Sequence, residues 1–130
     1  MVTKAAGRSL LPSNSELEVL NVLWSAGPAT VRDVYERLER REEIGYTTVL
    51  RVMQRMLKKG LVSRHSAGRK HVYAAGHRRQ NLIGRVTRNF VDRVFLGSSS
   101  DLVLKALEHE RLTAEEIDEI RRLLDSMKGR

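Results

Sequence analysis

The chain has 130 residues, with 24 Lys or Arg against 16 Asp or Glu, a formal charge of +8, no cysteine and 5% aromatic residues. That length suits one compact core or a small domain with an appended helical piece and excludes two large domains; the lack of cysteine excludes disulfides, thiolate metal sites and thiol redox sensing. No stretch approaches the roughly eighteen consecutive apolar residues of a membrane span, and residues 1–14 lack the apolar run of a signal peptide, so a cytoplasmic protein is expected.

The charge is unevenly spread. Residues 1–76 hold 13 basic and 7 acidic groups, residues 77–97 hold 5 and 1, and residues 98–130 hold 6 and 8. Between Glu43 and Asp92 there is no acidic residue, while 11 Lys or Arg occur. Such a field favours phosphate-bearing partners through counterion release and steering. An anionic membrane surface fits less well, because the basic residues alternate with core positions instead of forming a tail.

Residues 1–12 read as a tail, ordered only where Leu10 and Leu11 find a groove. Ser13, Asn14 or Ser15 caps a first helix in which Leu17, Leu20, Leu23 and Trp24 recur at helical spacing, and Gly27-Pro28 marks its end. Trp24 is a core anchor in this reading. Thr30 caps a second helix with Val31, Val34, Tyr35 and Leu38 inward; Arg32, Asp33, Glu36, Arg37 and Glu39 face outward as an ordinary solvated surface. Arg40 to Gly45 connect to a third.

The third helix carries the chemistry. Thr47 is its expected N-cap and Gly60 the left-handed residue that ends it. Val49, Val52, Met53 and Met56 fall at the spacing of one buried stripe. Advancing about 100° per residue, Thr47, Arg51, Gln54 and Lys58 line the opposite side, flanked by Arg55 and Leu50. Arg grips guanine O6 and N7 and Gln pairs with adenine, so Thr47, Arg51 and Gln54 are base-reading candidates; Tyr46, Thr48, Arg55 and Lys58 are phosphate candidates. Tyr46 either staples against Leu50 or offers its hydroxyl to a phosphate.

After the helix, Leu61, Val62, Arg64 and His65 lead into Ser66-Ala67-Gly68-Arg69, and Lys70 to Ala74 return, a two-stranded hairpin with Gly68 supplying positive φ. Arg64, Arg69 and Lys70 cluster near its tip, where a basic finger lies along the phosphate backbone or enters the minor groove. Helix, helix, recognition helix and basic hairpin make a winged helix. The fold class is mainly α with a small β-hairpin: residues 13–76 form a winged helix-turn-helix domain and residues 77–130 a helical dimerisation domain.

In that second half, Leu82, Ile83, Val86, Phe90, Val91 and Val94 form one long apolar stripe. Gly97 to Ser100 break the chain, with Ser98 or Ser100 capping a helix whose Leu102, Val103, Ala106 and Leu107 are apolar. Thr113 to Glu116 form a capping box for a last helix with Ile117, Ile120, Leu124 and Met127 on one stripe. Short amphipathic helices of this kind are marginal alone, so pairing with a second copy is expected.

No enzyme is expected. The basic region lacks carboxylates for metal-assisted phosphodiester chemistry, and Ser63, Ser66, His65 and His71 show no triad spacing. His65, His71 and His77 are better read as phosphate contacts or surface residues than as metal ligands, and His109, between Glu108 and Glu110, as a solvated helix end. No metal and no cofactor are expected.

The segments SELEVLNVLW (15–24), TVRDVYERL (30–38), GYTTVLRVMQRMLKKGLV (45–62) and GRKHVYAA (68–75) resemble the penicillinase-repressor family of winged-helix regulators, the BlaI/MecI type, over roughly residues 13–128. The resemblance implies a homodimeric repressor that binds double-stranded DNA at a palindromic, inverted-repeat operator and dimerises through a C-terminal helical domain. Copper-responsive relatives carry a C-terminal Cys-x-Cys motif; this chain has none, so copper sensing of that kind is not expected. In the family, release can come from a sensor protease that cuts an Asn-Phe bond in the first C-terminal helix after the linker. The matching positions here are Lys105 and Ala106, a departure that weighs against this route.

Two other non-enzymatic readings stay open. One is a winged-helix sensor with a small molecule between its DNA-binding and dimer domains, marked by ligand-dependent affinity. The other is a protein-contact module or general nucleoid coat, marked by the absence of the roughly thousandfold or greater operator preference of a specific repressor.

Overall fold

The computed structural model describes residues 11–129, so of the tail expected over residues 1–12 only Leu11 and Pro12 fall within it. Two compact units divide inside one helix: the first runs through Asn89 and the second begins at Phe90.

In the first unit, helix α1 (Asn14–Ala26) begins with a capping box. The Ser13 hydroxyl accepts from the Glu16 N–H at 3.3 Å, and the Glu16 carboxylate accepts from the Ser13 N–H at 2.8 Å. Two N–H groups without intrahelical partners are thereby satisfied. Thr30 and Asp33 make the same reciprocal pair at the start of α2 (Val31–Arg37). Asp33, expected to be merely solvated, is therefore part of a cap.

The connection from Arg40 to Gly45 contains a one-turn helix, α3 (Arg41–Ile44). Arg40 ties it to α1 through a two-pronged ion pair with Glu18. Gly45, at φ +81°, donates its N–H to the Arg41 carbonyl and accepts from the Val49 N–H, ending α3 and opening α4 (Tyr46–Lys59) in one residue. A side chain there would be strained. Thr47 is consequently not the N-cap; it lies within the first turn, and no side chain caps this helix. Gly60 closes α4 in the left-handed conformation, as expected.

Strands β1 (Val62–Ala67) and β2 (Lys70–Ala75) pair antiparallel from Val62↔Ala75 to Ala67↔Lys70. Gly68 and Arg69 form the turn, with positive φ at Gly68 and not at Arg69, the pattern of a II′ hairpin, whose twist suits its strands. Ala29, between α1 and α2, exchanges two hydrogen bonds with Tyr73, at 2.9 and 2.8 Å. This bridge adds a one-residue third strand that fastens the hairpin to the helices.

The core of this unit gathers Val19, Leu20 and Leu23 from α1, Val31, Val34 and Leu38 from the α2 segment, and Val49, Val52, Met53 and Met56 from α4, with Leu61, Val62 and Tyr73. Leu82 belongs to the same core at 1% exposure, and Val86 packs against it. Both were expected at a dimer interface. The first turns of α5 (Arg79–Val94) instead complete the winged-helix core, and the Trp24 Nε1–H donates to the His77 carbonyl at 3.0 Å just before them. The first unit thus continues past residue 76, the boundary expected from the sequence.

In the second unit, Leu96 and Gly97 at φ +53° and +89° turn the chain out of α5. Ser98 caps α6 (Ser99–Leu107) by accepting from the Asp101 N–H at 3.2 Å. Thr113 and Glu116 form the expected capping box of α7 (Ala114–Lys128). Neither α6 nor α7 buries any residue. Among the described residues no helix is long and apolar enough to cross a membrane.

Candidate nucleic-acid interface

Helix α4 divides cleanly by face. Val49, Val52, Met53 and Met56 are at most 6% exposed, whereas Thr47, Thr48, Arg51, Gln54, Arg55 and Lys58 are exposed and Leu50 is half-buried. With about 100° between residues, Thr47, Arg51, Gln54 and Lys58 share an arc of about 60°. A hydroxyl, a guanidinium, a carboxamide and an ammonium are held on one ridge by a stripe packed into the core. Because Gly45 takes the capping position, the Thr47 hydroxyl stays available on that ridge. On the hairpin Arg64, His65, Arg69, Lys70 and His71 are exposed, and the buried Tyr73 and Val62 hold its base.

Arg55 is not a free cation. Its Nε donates to the Glu16 carboxylate at 3.0 Å, and Lys59 Nζ donates to the other oxygen at 2.7 Å. The Lys59 ammonium also reaches the Leu11 carbonyl at 3.2 Å. Glu16 is fully buried. Burial pushes its carboxyl up, but the hydrogen bonds from Lys59, the Ser13 N–H and Arg55 outweigh that and hold it below its ordinary range. The pair fixes the last turns of α4 against the first turn of α1. Sequence reading passed over Glu16; the Ser-x-x-Glu spacing from Ser13 was a signal for its capping hydrogen bond but not for those from Arg55 and Lys59.

Tyr46 sits at the first position of α4. It meets Tyr35 edge-on, with ring centroids 5.7 Å apart, and the Arg32 guanidinium lies over its ring at 4.7 Å. Neither of the roles expected for Tyr46, a staple to Leu50 or a hydroxyl contact to phosphate, foresaw this aromatic and cationic stack.

The dimerisation candidates fall into two groups. Leu82 is enclosed and Ile83 and Val86 are half-buried in the first unit. In the second, Phe90, Val94, Val103, Leu107, Ile117 and Leu124 are exposed and Leu102 and Ile120 half-buried. Leu104 and Leu123, which sequence periodicity passed over, are 70% and 59% exposed. Lys105 and Ala106 lie inside α6, both exposed, with Lys105 paired to Glu108 at 3.2 Å. Among the described residues no group of three or more His, Asp or Glu is placed to hold a metal ion.

The model of the penicillinase-repressor family matches residues 12–126. The chain is 30% identical over 118 residues to a penicillinase repressor of Bacillus licheniformis, covering 91% of this chain and 92% of that one. It is 39% identical over 117 residues to the transcriptional regulator BlaI of Mycobacterium tuberculosis, covering 88% and 83%. The solved structure of an ArsR-like transcriptional regulator from Rhodococcus sp. RHA1 matches 86% of this chain and 100% of its own with a TM-score of 0.51 at 18% identity, a likeness of fold. With the helices, hairpin and core described above, these matches establish that the chain belongs to the penicillinase-repressor family of winged-helix proteins.

Proposed function

We propose that this chain is a sequence-specific, DNA-binding transcriptional repressor that acts as a homodimer on an inverted-repeat operator. The observation that carries this reading is the two-faced α4, which buries its apolar stripe and leaves Thr47, Arg51, Gln54 and Lys58 exposed beside a basic hairpin. Arg51 and Gln54 have the donors and acceptors to discriminate base edges, while Lys58, Arg64, Arg69 and Lys70 suit phosphates. Its relatives named as repressors and transcriptional regulators support the same reading. One recognition helix reads only a few base pairs; two related by a twofold axis read half-sites about 34–36 Å apart for each helical turn between them.

A second copy of the chain is the partner that the second unit calls for. Val103, Leu104, Leu107, Ile117, Leu124 and Met127 leave large apolar surfaces on α6 and α7, and covering such surface is the main drive to association. Bound at a promoter, the dimer blocks polymerase, and whatever separates the copies releases it. A sensor protease cutting between Lys105 and Ala106 would be one such event, but the absence of the family's Asn-Phe bond there weighs against it, and the bond lies within α6, so cutting it would require that turn to open. Genome-wide recovery of DNA bound to the protein tests the proposal: it should enrich one inverted repeat near promoters, and coverage without a shared motif would overturn it.

A further inference from the structure

We infer that Arg32 is a contact to the DNA backbone, held ready for a phosphate by the ring of Tyr46. This rests on the DNA-binding reading above and adds to it a residue of α2 that the two-faced recognition helix does not itself reveal.

Arg32 and Tyr35 stand three residues apart on α2 and so share one face of that helix. Both touch Tyr46, the first residue of α4: Tyr35 meets it edge-on, with 76° between the rings, and the Arg32 guanidinium carbon lies 4.7 Å from the ring centroid. An aromatic face holds a guanidinium without neutralising it and leaves N–H donors at its edge free, in the fork that matches two phosphate oxygens.

Arg40 is paired with Glu18 and Arg55 with Glu16. Among the described residues no carboxylate pairs with Arg32, although Glu36 stands one turn further along α2 and Asp33, its neighbour, is engaged by the Thr30 cap. Arg32 therefore keeps its whole charge over the ring of Tyr46, the residue that precedes the exposed Thr47 and Thr48 in α4.

That position selects the backbone over the bases. In helix-turn-helix docking the N-terminal residues of the recognition helix face base edges while the preceding helix crosses the backbone. A cation carried by α2 and leaning on the first residue of α4 stands where the two meet. Tyr46 is then a positioning residue, acting through its ring and not its hydroxyl.

The test uses the full chain and a random-sequence duplex of about thirty base pairs, with affinity measured by fluorescence anisotropy across a salt series. Arg32→Ala should weaken binding about tenfold at low salt and lessen the slope of log affinity against log salt by about 0.9 for each subunit bound. Arg32→Lys should keep the slope and lose part of the affinity. Tyr46→Phe should bind as the parent does, Tyr46→Ala should weaken binding, and the Arg32→Ala/Tyr46→Ala pair should be no weaker than Arg32→Ala alone. Thermal melts of Arg32→Ala, Arg32→Lys and Tyr46→Phe should stay close to the parent, while Tyr46→Ala, which loses the edge-on contact to Tyr35, should melt somewhat lower and is compared at a temperature where it stays folded. An unchanged slope and affinity in Arg32→Ala, with the parent binding normally, overturns the inference. So does a Tyr46→Phe loss as large as that of Tyr46→Ala, which would assign the contact to the hydroxyl. A parent chain with no salt-dependent DNA binding would instead defeat the underlying function, a result distinct from either.

Discussion

Glu16 and Lys59 meet at 2.7 Å and join the first turn of α1 to the last turn of α4. The carboxylate is fully buried, and Arg55 completes its coordination at 3.0 Å. This buried acceptor joins the core packing of Met56 and Leu61 in holding the end of α4 against α1.

Glu16→Gln should therefore destabilise the fold by roughly 2 kcal/mol, measured by urea unfolding at neutral pH. Removing one partner of a buried pair costs about 3–5 kcal/mol, but Arg55 is 53% exposed and Lys59 23%, so both regain solvent and the loss is smaller. The acid profile should change as well. Because the folded-state value of Glu16 lies below its ordinary 4.5, its contribution is fully present above the unfolded value and is lost as pH falls through the folded one. The parent should lose stability from about pH 5 downward. Glu16→Gln should show a shallower decline, not a flat one, since Glu18 is also held low by Arg40 and Glu116 by Thr113. Identical acid limbs in parent and variant would contradict this.

Gly76 meets the end of α4 at close range. A Cβ there would come within 2.7 Å of the Gly60 carbonyl oxygen and 3.1 Å of the Leu61 backbone, while the Gly76 N–H donates to the Leu61 carbonyl at 2.8 Å. Backbone atoms cannot swing aside as a side chain does. Gly76→Ala should cost about 1–3 kcal/mol, read as a lower melting temperature, whereas Gly84→Ala, whose new methyl meets nothing within 4 Å, should be neutral or mildly stabilising because it lies within a helix.

Leu124 is 48% exposed on α7, so a charge there adds little strain within one copy. Leu124→Glu should shift the protein from dimer to monomer in sedimentation velocity and weaken binding to an inverted repeat more than to a single half-site. A dimer of undiminished stability would place the interface elsewhere.

What was legible in the sequence was local. The caps at Thr30 and Thr113, the caps at Ser13 and Ser98 as one of the candidates offered at each place, the stripe from Val49 to Met56 and the turn at Gly68 each follow from neighbouring residues whose chemistry settles a few dihedral angles. What was missed depended on distant partners. The Ala29 bridge to Tyr73 needs the hairpin already folded onto α1 and α2. Leu82 looks like the start of a dimer stripe until α5 is seen to close the winged-helix core with its first turns. Thr47 was the better capping residue by type, yet the turn out of α3 demands positive φ, which selects Gly45. Arg32 looked solvated because the ring beneath it is fourteen positions away in the chain, and Glu16 was passed over because the two cations that pair with it stand 39 and 43 positions away.

The central claim is that the exposed ridge of α4 reads base edges. Its most direct measurement is the ratio of affinities for the recovered operator and a random duplex of equal length, at one fixed salt concentration, for the parent, Arg51→Ala, Gln54→Ala and Lys70→Ala. The parent should prefer the operator by roughly a thousandfold or more; Arg51→Ala and Gln54→Ala should each cut that ratio by about tenfold or more, and Lys70→Ala should weaken both duplexes alike and leave it unchanged. Equal losses on both duplexes for all three variants would contradict base reading by this helix.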